Sequence, residues 1–331
     1  MISVELPYDA SLDAVVSRST VMELGGKVFY LSAGTVAGRR QPDDPAKPNE
    51  DAFSVISEED EDAALATLIA DGASSQKPIP ELGDVSGARF ASHTLKELFE
   101  TQDHIGEAVA MLRGLNWSLG QRLQVFPSVD YADLNSLPTS TGTINRFDIG
   151  HDRLNSAHVG DTFSLALYEN DKTELLTNNL HKQYDQEVLK LIHTIAIENG
   201  ITPREARLDP RVRAAIPAMF QTTRNRPDGT GEGMINGDPN MDRYIHFRSI
   251  SLKGVKAVLS GCDGLVPPGM DENNPDDRRR MFAIALSDGV SGLIEYARYI
   301  ADGDPDRWHL RYKHMDDSTG TLIRSPSWLI R

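Results

Sequence analysis

The sequence predicts an α+β fold, with residues 1–331 forming one domain. Three observations carry this. Strand-like runs gather before and after long helical stretches instead of alternating with them, which argues against an alternating parallel fold. The helical stretches repeat apolar residues at helical spacing, so each buries one face. Short acidic motifs at the ends of early and late strand-like runs belong to one constellation, which ties distant parts of the chain into the same unit.

β-Branched and apolar residues mark strands at Lys27 to Ser32, Ala52 to Ile56, Leu65 to Ala70, Thr143 to Phe147, Ser156 to Val159 and Ser164 to Tyr168. Further strands are read at Ile245 to Ile250, Ala257 to Ser260 and Thr319 to Ile323. One helical stripe comprises Ala88, Ala91, Leu95, Leu98 and Phe99; a second comprises Ile105, Val109, Leu112, Leu115, Leu119 and Leu123. A further helical pair is read near Arg278 to Leu286 and Val290 to Ile300. The lead Gln41-Pro42-Asp43-Asp44-Pro45-Ala46-Lys47-Pro48 must be extended, because residues before proline avoid the helical region. Residues 181–240 are more basic than their surroundings, with Arg204, Arg207, Arg211, Arg213, Arg224 and Arg226. Taken alone, these arginines read equally well as a solvated helix. No internal repeat or low-complexity tract interrupts the chain.

Four acidic motifs open or close apolar runs: Asn49-Glu50-Asp51, Asp71-Gly72, Asp263-Gly264 and Asp316-Asp317. A lone Asp-Gly is most often a turn, since glycine takes positive φ and aspartate caps nearby amides. Carboxylates at the ends of strands from distant parts of a chain can instead converge on one sheet edge, and hard divalent cations prefer carboxylate oxygen. The four together are read as a metal site.

The ordered set Asn-Glu-Asp, Asp-Gly, Asp-Gly, Asp-Asp resembles the metal-dependent serine/threonine protein phosphatases of the PPM family, also called type 2C. Leu154 to Thr162, which contains Gly160-Asp161, is similar to the family's strand ending in Gly-Asp-Ser, and Ser140-Thr141-Gly142-Thr143 to the strand before it. Leu175 to Asn179 and Gly237-Asp238 fall where the family has further short motifs. The likeness runs from about Val28 to Arg324. It implies two packed antiparallel β-sheets flanked by helices, a four-layer sandwich with a metal cleft at one end. Residues 181–240 would be a flap-like insertion beside that cleft.

The resemblance also implies chemistry. Two ions, Mg2+ or Mn2+, held ~4 Å apart would activate a bridging hydroxide for in-line attack on a phosphate monoester. Asp71 would bridge the ions and the Gly72 carbonyl would complete one shell. Glu50 and Asp51 would serve one ion directly or through water, and Asp263 and Asp316 the other, with Asp317 as a supporting acceptor. The chain departs from the family at three points. Asp71-Gly72-Ala73-Ser74-Ser75 stands where Asp-Gly-x-Gly-Gly is common, and it lacks the histidine that some members offer as general acid. The phosphate-anchoring arginine before the first motif has no match, its nearest position being Ala46; Lys47 or the Arg39-Arg40 pair would have to substitute. Asp161 and Asp263 match two ligands of a weak third metal, but Pro267 stands at the other.

Composition is compatible with this reading. A 39% hydrophobic chain of this length can bury a large core. The single cysteine, Cys262, excludes an intramolecular disulfide and fits a reducing compartment, and its apolar strand neighbours point to a buried structural thiol rather than a nucleophile. No apolar stretch approaches bilayer-spanning length, and the N-terminus has no signal-peptide pattern, so a cytoplasmic location is expected. A formal charge of −15 makes nucleic acid and anionic membranes poor partners. The expected partner is a phosphorylated protein. Two competing readings are an inactive PPM-like pseudophosphatase that binds a regulatory partner, and an enzyme of the same chemistry acting on small phosphomonoesters.

Overall fold

The computed structural model describes residues 2–3, 14–39, 47–59, 63–73 and 77–324. Arg40, Ala46, Ser74 and Ser75, on which expectations were placed above, lie outside the described residues, as does most of the proline-rich lead. Twelve strands among the described residues form two six-stranded sheets in which the paired strands run antiparallel. In chain order they are β1 (Ile2–Ser3), β2 (Val16–Leu24), β3 (Lys27–Val36), β4 (Ala52–Glu58), β5 (Ala64–Ala73), β6 (Thr139–Asp148), β7 (Arg153–Val159), β8 (Phe163–Tyr168), β9 (Thr173–Leu175), β10 (His246–Ser251), β11 (Val255–Gly261) and β12 (Ser318–Arg324). One sheet has the order β1-β4-β5-β6-β7-β10 and the other β2-β3-β12-β11-β8-β9. The helices are α1 (Gly87–Glu100), α2 (Ala108–Leu123), α3 (His181–Asn199), α4 (Pro203–Ala206), α5 (Pro210–Thr223) and α6 (Pro275–Asp302).

Burial on both faces explains why these strands read as nearly continuous apolar runs. Val55, Leu65, Phe147 and Leu154 of the first sheet pack on Phe29, Leu31, Val258 and Ile323 of the second. The outer face of the first sheet is covered by α1 and α2, whose Leu95, Phe99, Leu112 and Leu115 meet Ile56, Leu68 and Ile144. The outer face of the second is covered by α6 through Met281, Phe282, Leu293 and Ile294. The four-layer α+β sandwich is therefore as expected. Gly289, at φ 73° and ψ −174°, breaks α6 into two segments, matching the pair read from the sequence. The helices α3, α4 and α5 share a small core of their own, built on Val188, Ile192, Ile195, Val212 and Ile216.

Antiparallel pairing fixes where the acidic motifs go. Asp51 precedes β4, whereas Asp71 lies near the end of β5, its partner strand. In the other sheet, Asp263 follows β11, and Asp316 and Asp317 precede β12, again its partner. Each pair of motifs thus falls at one end of one hairpin-like ladder.

Candidate metal centre

Backbone contacts stitch the four motifs together. A Cβ on Gly72 would lie 2.4 Å from the Glu50 carbonyl oxygen, and one on Gly264 would lie 2.0 Å from that of Asp317. Only glycine lets the Asp-Gly segments approach the Asn-Glu-Asp and Asp-Asp segments so closely. The Asp317 carboxylate joins the two halves, accepting from the Glu50 amide at 3.1 Å and the Gly38 amide at 2.6 Å. Asn49 accepts the Asp51 amide at 2.9 Å and donates to Thr35 Oγ1 at 2.6 Å, while Arg89 donates to the Asn49 carbonyl at 2.5 Å. The Ser140 hydroxyl holds the Asp71 carbonyl at 2.7 Å.

Carboxylate oxygens of Asp51 and Asp71 and the Cys262 sulfur lie within 4.8 Å of one another. Burial, then the charges of Asp317 and Asp316, push Asp51 up to about 8. Burial raises Asp71 well above the carboxylate range, reinforced by Asp51, Asp161, Asp263 and Asp316. Asp263, though solvent-accessible, is raised likewise by desolvation and then by Asp316 and Asp161. Like charges held this close without compensation favour protonation. Asp51 Oδ2 is buried and has no hydrogen-bond partner among the described residues. An orphaned carboxylate oxygen amid mutually repelling carboxylates fits a hard divalent cation. Cys262 is kept as a thiol by burial and by Asp51, Asp71 and Asp263. Its sulfur donates to the Asp317 carbonyl at 3.3 Å and accepts the Thr319 amide at 3.0 Å, consistent with a structural thiol.

The remaining residues singled out from the sequence have other partners. Glu50 forms an ion pair with Lys47, which also lies 3.3 Å from Asp317. Asp316, at the edge of the cluster, forms an ion pair with Lys313. Asp161 accepts from Thr141 at 2.6 Å and lies 3.4 Å from His181 Nδ1. Burial alone would raise the Asp161 pKa, but His181 and the hydrogen bonds outweigh it and hold the carboxylate ionised. Burial likewise opposes the His181 imidazolium, yet Asp161 and Glu232 lift it to about 10.

Arg224 corrects an expectation. Noted as part of a basic stretch compatible with a solvated helix, it is instead 2% exposed, with its guanidinium 3.7 Å from the Phe220 ring centroid. Burial lowers its pKa to about 10 against the opposing charges of Glu232, Asp161 and Asp185. Arg226, by contrast, is exposed and pairs with Asp228 at 2.7 Å.

Two cationic residues of this region escaped the sequence reading, His181 and Lys313. The only signal for Lys313 was its place three residues before Asp316. Beside the cluster opens a cavity of about 590 Å³ whose wall includes Asp263, Gly264, Lys313, Asp316 and Ser318. Its volume is that of a small-molecule or side-chain pocket. Among the described residues, no helix is long and apolar enough to cross a membrane.

No family model matches the sequence, and no curated protein matches it. Among solved structures, serine/threonine phosphatase Stp1 from Staphylococcus aureus is similar, with a TM-score of 0.50 and 16% identity over 93% of this chain and 98% of that one. The Mycobacterium tuberculosis serine/threonine phosphatase PstP/Ppp gives 0.49 and 17% over 89% and 98%. RsbX in complex with magnesium gives 0.48 and 13% over 93% and 100%. With its two sheets, its helical outer layers and the likeness to Stp1, the chain has the fold of the PPM-type serine/threonine phosphatases.

Proposed function

We propose that the chain is a divalent-metal-dependent phosphatase acting on phosphoserine and phosphothreonine in cytoplasmic proteins. The observation that carries this reading is the set Asp51, Asp71 and Asp263, drawn from distant segments, grading from buried Asp51 to solvent-accessible Asp263 and left without enough positive charge. Asp51, Asp71, Asp263 and Asp316 would hold two ions, Mg2+ or Mn2+, with Glu50 and the Gly72 carbonyl completing the shells. Such cations, when bound, neutralise phosphoryl charge and ease deprotonation of a water. The protein supplies rigid placement: Gly72 and Gly264 fix the close approach of the segments, and Asp317 clamps them through the Glu50 and Gly38 amides. Cys262 stays protonated and offers no thiolate nucleophile. Asp161 already has His181 as its cation, and Pro267 adds no carboxylate, so a third ion binds weakly if at all. Residues 181–240, with a core of their own, form the flap-like insertion of a single phosphatase domain.

The testing experiment is thermal denaturation with chelator or with Mn2+ at several pH values. Metal should raise the melting temperature, the stabilisation reaching ~2.7 kcal/mol at a hundredfold excess over the dissociation constant. The pH dependence has a definite sign. Asp51 is raised from 3.8 to about 8, so the folded metal-free protein holds a proton that the unfolded chain releases. That contribution is fully present below the unfolded pKa and is lost as pH rises through the folded one. The chelated protein should therefore be less stable at about pH 8.5 than at about pH 6, and the gain from Mn2+ should be larger at the higher pH, where ligands need not shed protons. Superimposable curves with and without metal at both pH values would contradict a shared carboxylate site.

A further inference from the structure

A phosphate monoester dianion entering beside the carboxylate cluster needs a protein cation as well as metals, because Asp185, Asp263 and Asp316 line the cavity through which it would enter. The cations at hand are unequally committed. Lys47 is held between Glu50 and Asp317 and does not line the cavity. Arg298 and Arg311 do line it, but Arg298 donates to the Ala37 carbonyl, and Arg311 serves Asp304 and the carbonyls of Ala301, His309 and His314. Lys313 also lines the cavity, and its ammonium pairs with Asp316 at the point where the cavity meets the cluster. A lysine there carries three rotatable donors on a flexible stem.

We propose that Lys313 anchors the substrate phosphate from the cavity side, a role that rests on the phosphatase reading above. With the Asp316 carboxylate engaged by a divalent cation, Lys313 would be free to turn its donors to a phosphoryl oxygen while keeping its stem on the cavity wall. The residue would act in binding the phosphate rather than in holding the metal, and it fills the place for which Lys47 was the expectation from sequence.

The test uses the full chain and its Lys313→Met, Lys313→Gln and Lys313→Arg variants, each checked by thermal melting. Calorimetry measures Mg2+ binding, then inorganic phosphate binding to the Mg2+-loaded protein, and steady-state kinetics use a phosphoserine peptide. Loss of a charge-assisted hydrogen bond should weaken phosphate binding and raise KM about 10- to 100-fold in the Met and Gln variants. Lys313→Arg should stay near wild type, and Mg2+ affinity should be unchanged or tighter in all three. Unchanged phosphate affinity in both Met and Gln variants would overturn the proposal, as would a loss of Mg2+ affinity that accounts for the phosphate effect. If the wild type binds phosphate but never turns over the peptide, the phosphatase reading fails alone, and loss of phosphate binding in Lys313→Gln still upholds the anchor. A wild type that binds Mg2+ but no phosphate overturns the anchor.

Discussion

Asp71→Asn should lower kcat/KM for phosphomonoesters by at least about a hundredfold, the upper scale of loss on which even residues one step removed from a metal act. Asp263→Asn should do the same. Asp71 is half-buried and Asp263 solvent-accessible, yet desolvation and then the acidic neighbours push both toward protonation. Asparagine resembles the protonated acid in shape but cannot supply the charge that a divalent cation needs. The same substitution relieves repulsion when no metal is present. The chelated variants should accordingly melt no lower than the chelated wild type, while losing most of the shift that Mn2+ produces. This opposite movement of activity and metal-free stability separates a ligand from a merely structural aspartate, whose loss would lower both. Unchanged turnover in either variant would remove that residue from the centre. A wild type silent with every divalent cation tested would favour the regulatory binding module over the enzyme.

The sandwich was legible because most of its strands are buried on both faces, and their apolar runs survive without any alignment. Phe53, Val55 and Ile56 in β4, and Leu65, Leu68 and Ile69 in β5, are all nearly inaccessible. β2 is the contrary case. It pairs only with β3, as an edge strand, and its sequence Val16-Ser17-Arg18-Ser19-Thr20-Val21-Met22-Glu23-Leu24 is mostly exposed or half-buried, so no apolar run betrays it. The short β9 gives too few residues for any period to register.

The acidic motifs were visible because Asp-Gly and Asp-Asp are local in sequence. Their mutual stitching depends on contacts between separated segments, Gly72 with Glu50, Gly264 with Asp317, and Asp317 with Glu50 across 267 residues, and has no local signature. Lys313 and His181 were missed for the same reason, since a lone cation gains meaning only from the carboxylate facing it. Helix α3 did carry a readable stripe, Val188, Ile192, Ile195 and Ala196. It was obscured by the basic composition of the stretch that follows, which drew attention to charge and away from periodicity. Five of the arginines noted there, Arg204, Arg207, Arg211, Arg213 and Arg224, lie in or beside α4 and α5. Arg224, which ends α5, is the one whose charge is turned inward.

Arg224→Ala should destabilise the protein by about 2 kcal/mol, the scale of a desolvated cation–π contact, since its guanidinium stacks on Phe220 without a direct ion pair among the described residues. The side chain lies among Glu232, Asp161 and Asp185, and without it His181 is left as the cation closest to that group. Glu232 is itself buried, taking the Thr223 hydroxyl at 2.6 Å and lying 3.7 Å from His181 Nδ1. Asp185 is raised to about 7 by burial despite His181, so its corner of the network has little positive charge to spare. Truncation would also empty the space over the Phe220 ring, where the guanidinium now stacks. Lysine should rescue only part of the loss, because it restores charge but not the planar stack. Arg226→Ala serves as the comparison, since that residue is exposed and its guanidinium meets only near neighbours in sequence, Asp228 and the Thr222 carbonyl, among the described residues; its unfolding midpoint should match wild type. Denaturant melts of the three variants decide the matter. Equal, small effects of Arg224→Ala and Arg226→Ala would mean that α5 is docked by its apolar face alone and that the buried charge network contributes nothing to holding α3 to α5 in place.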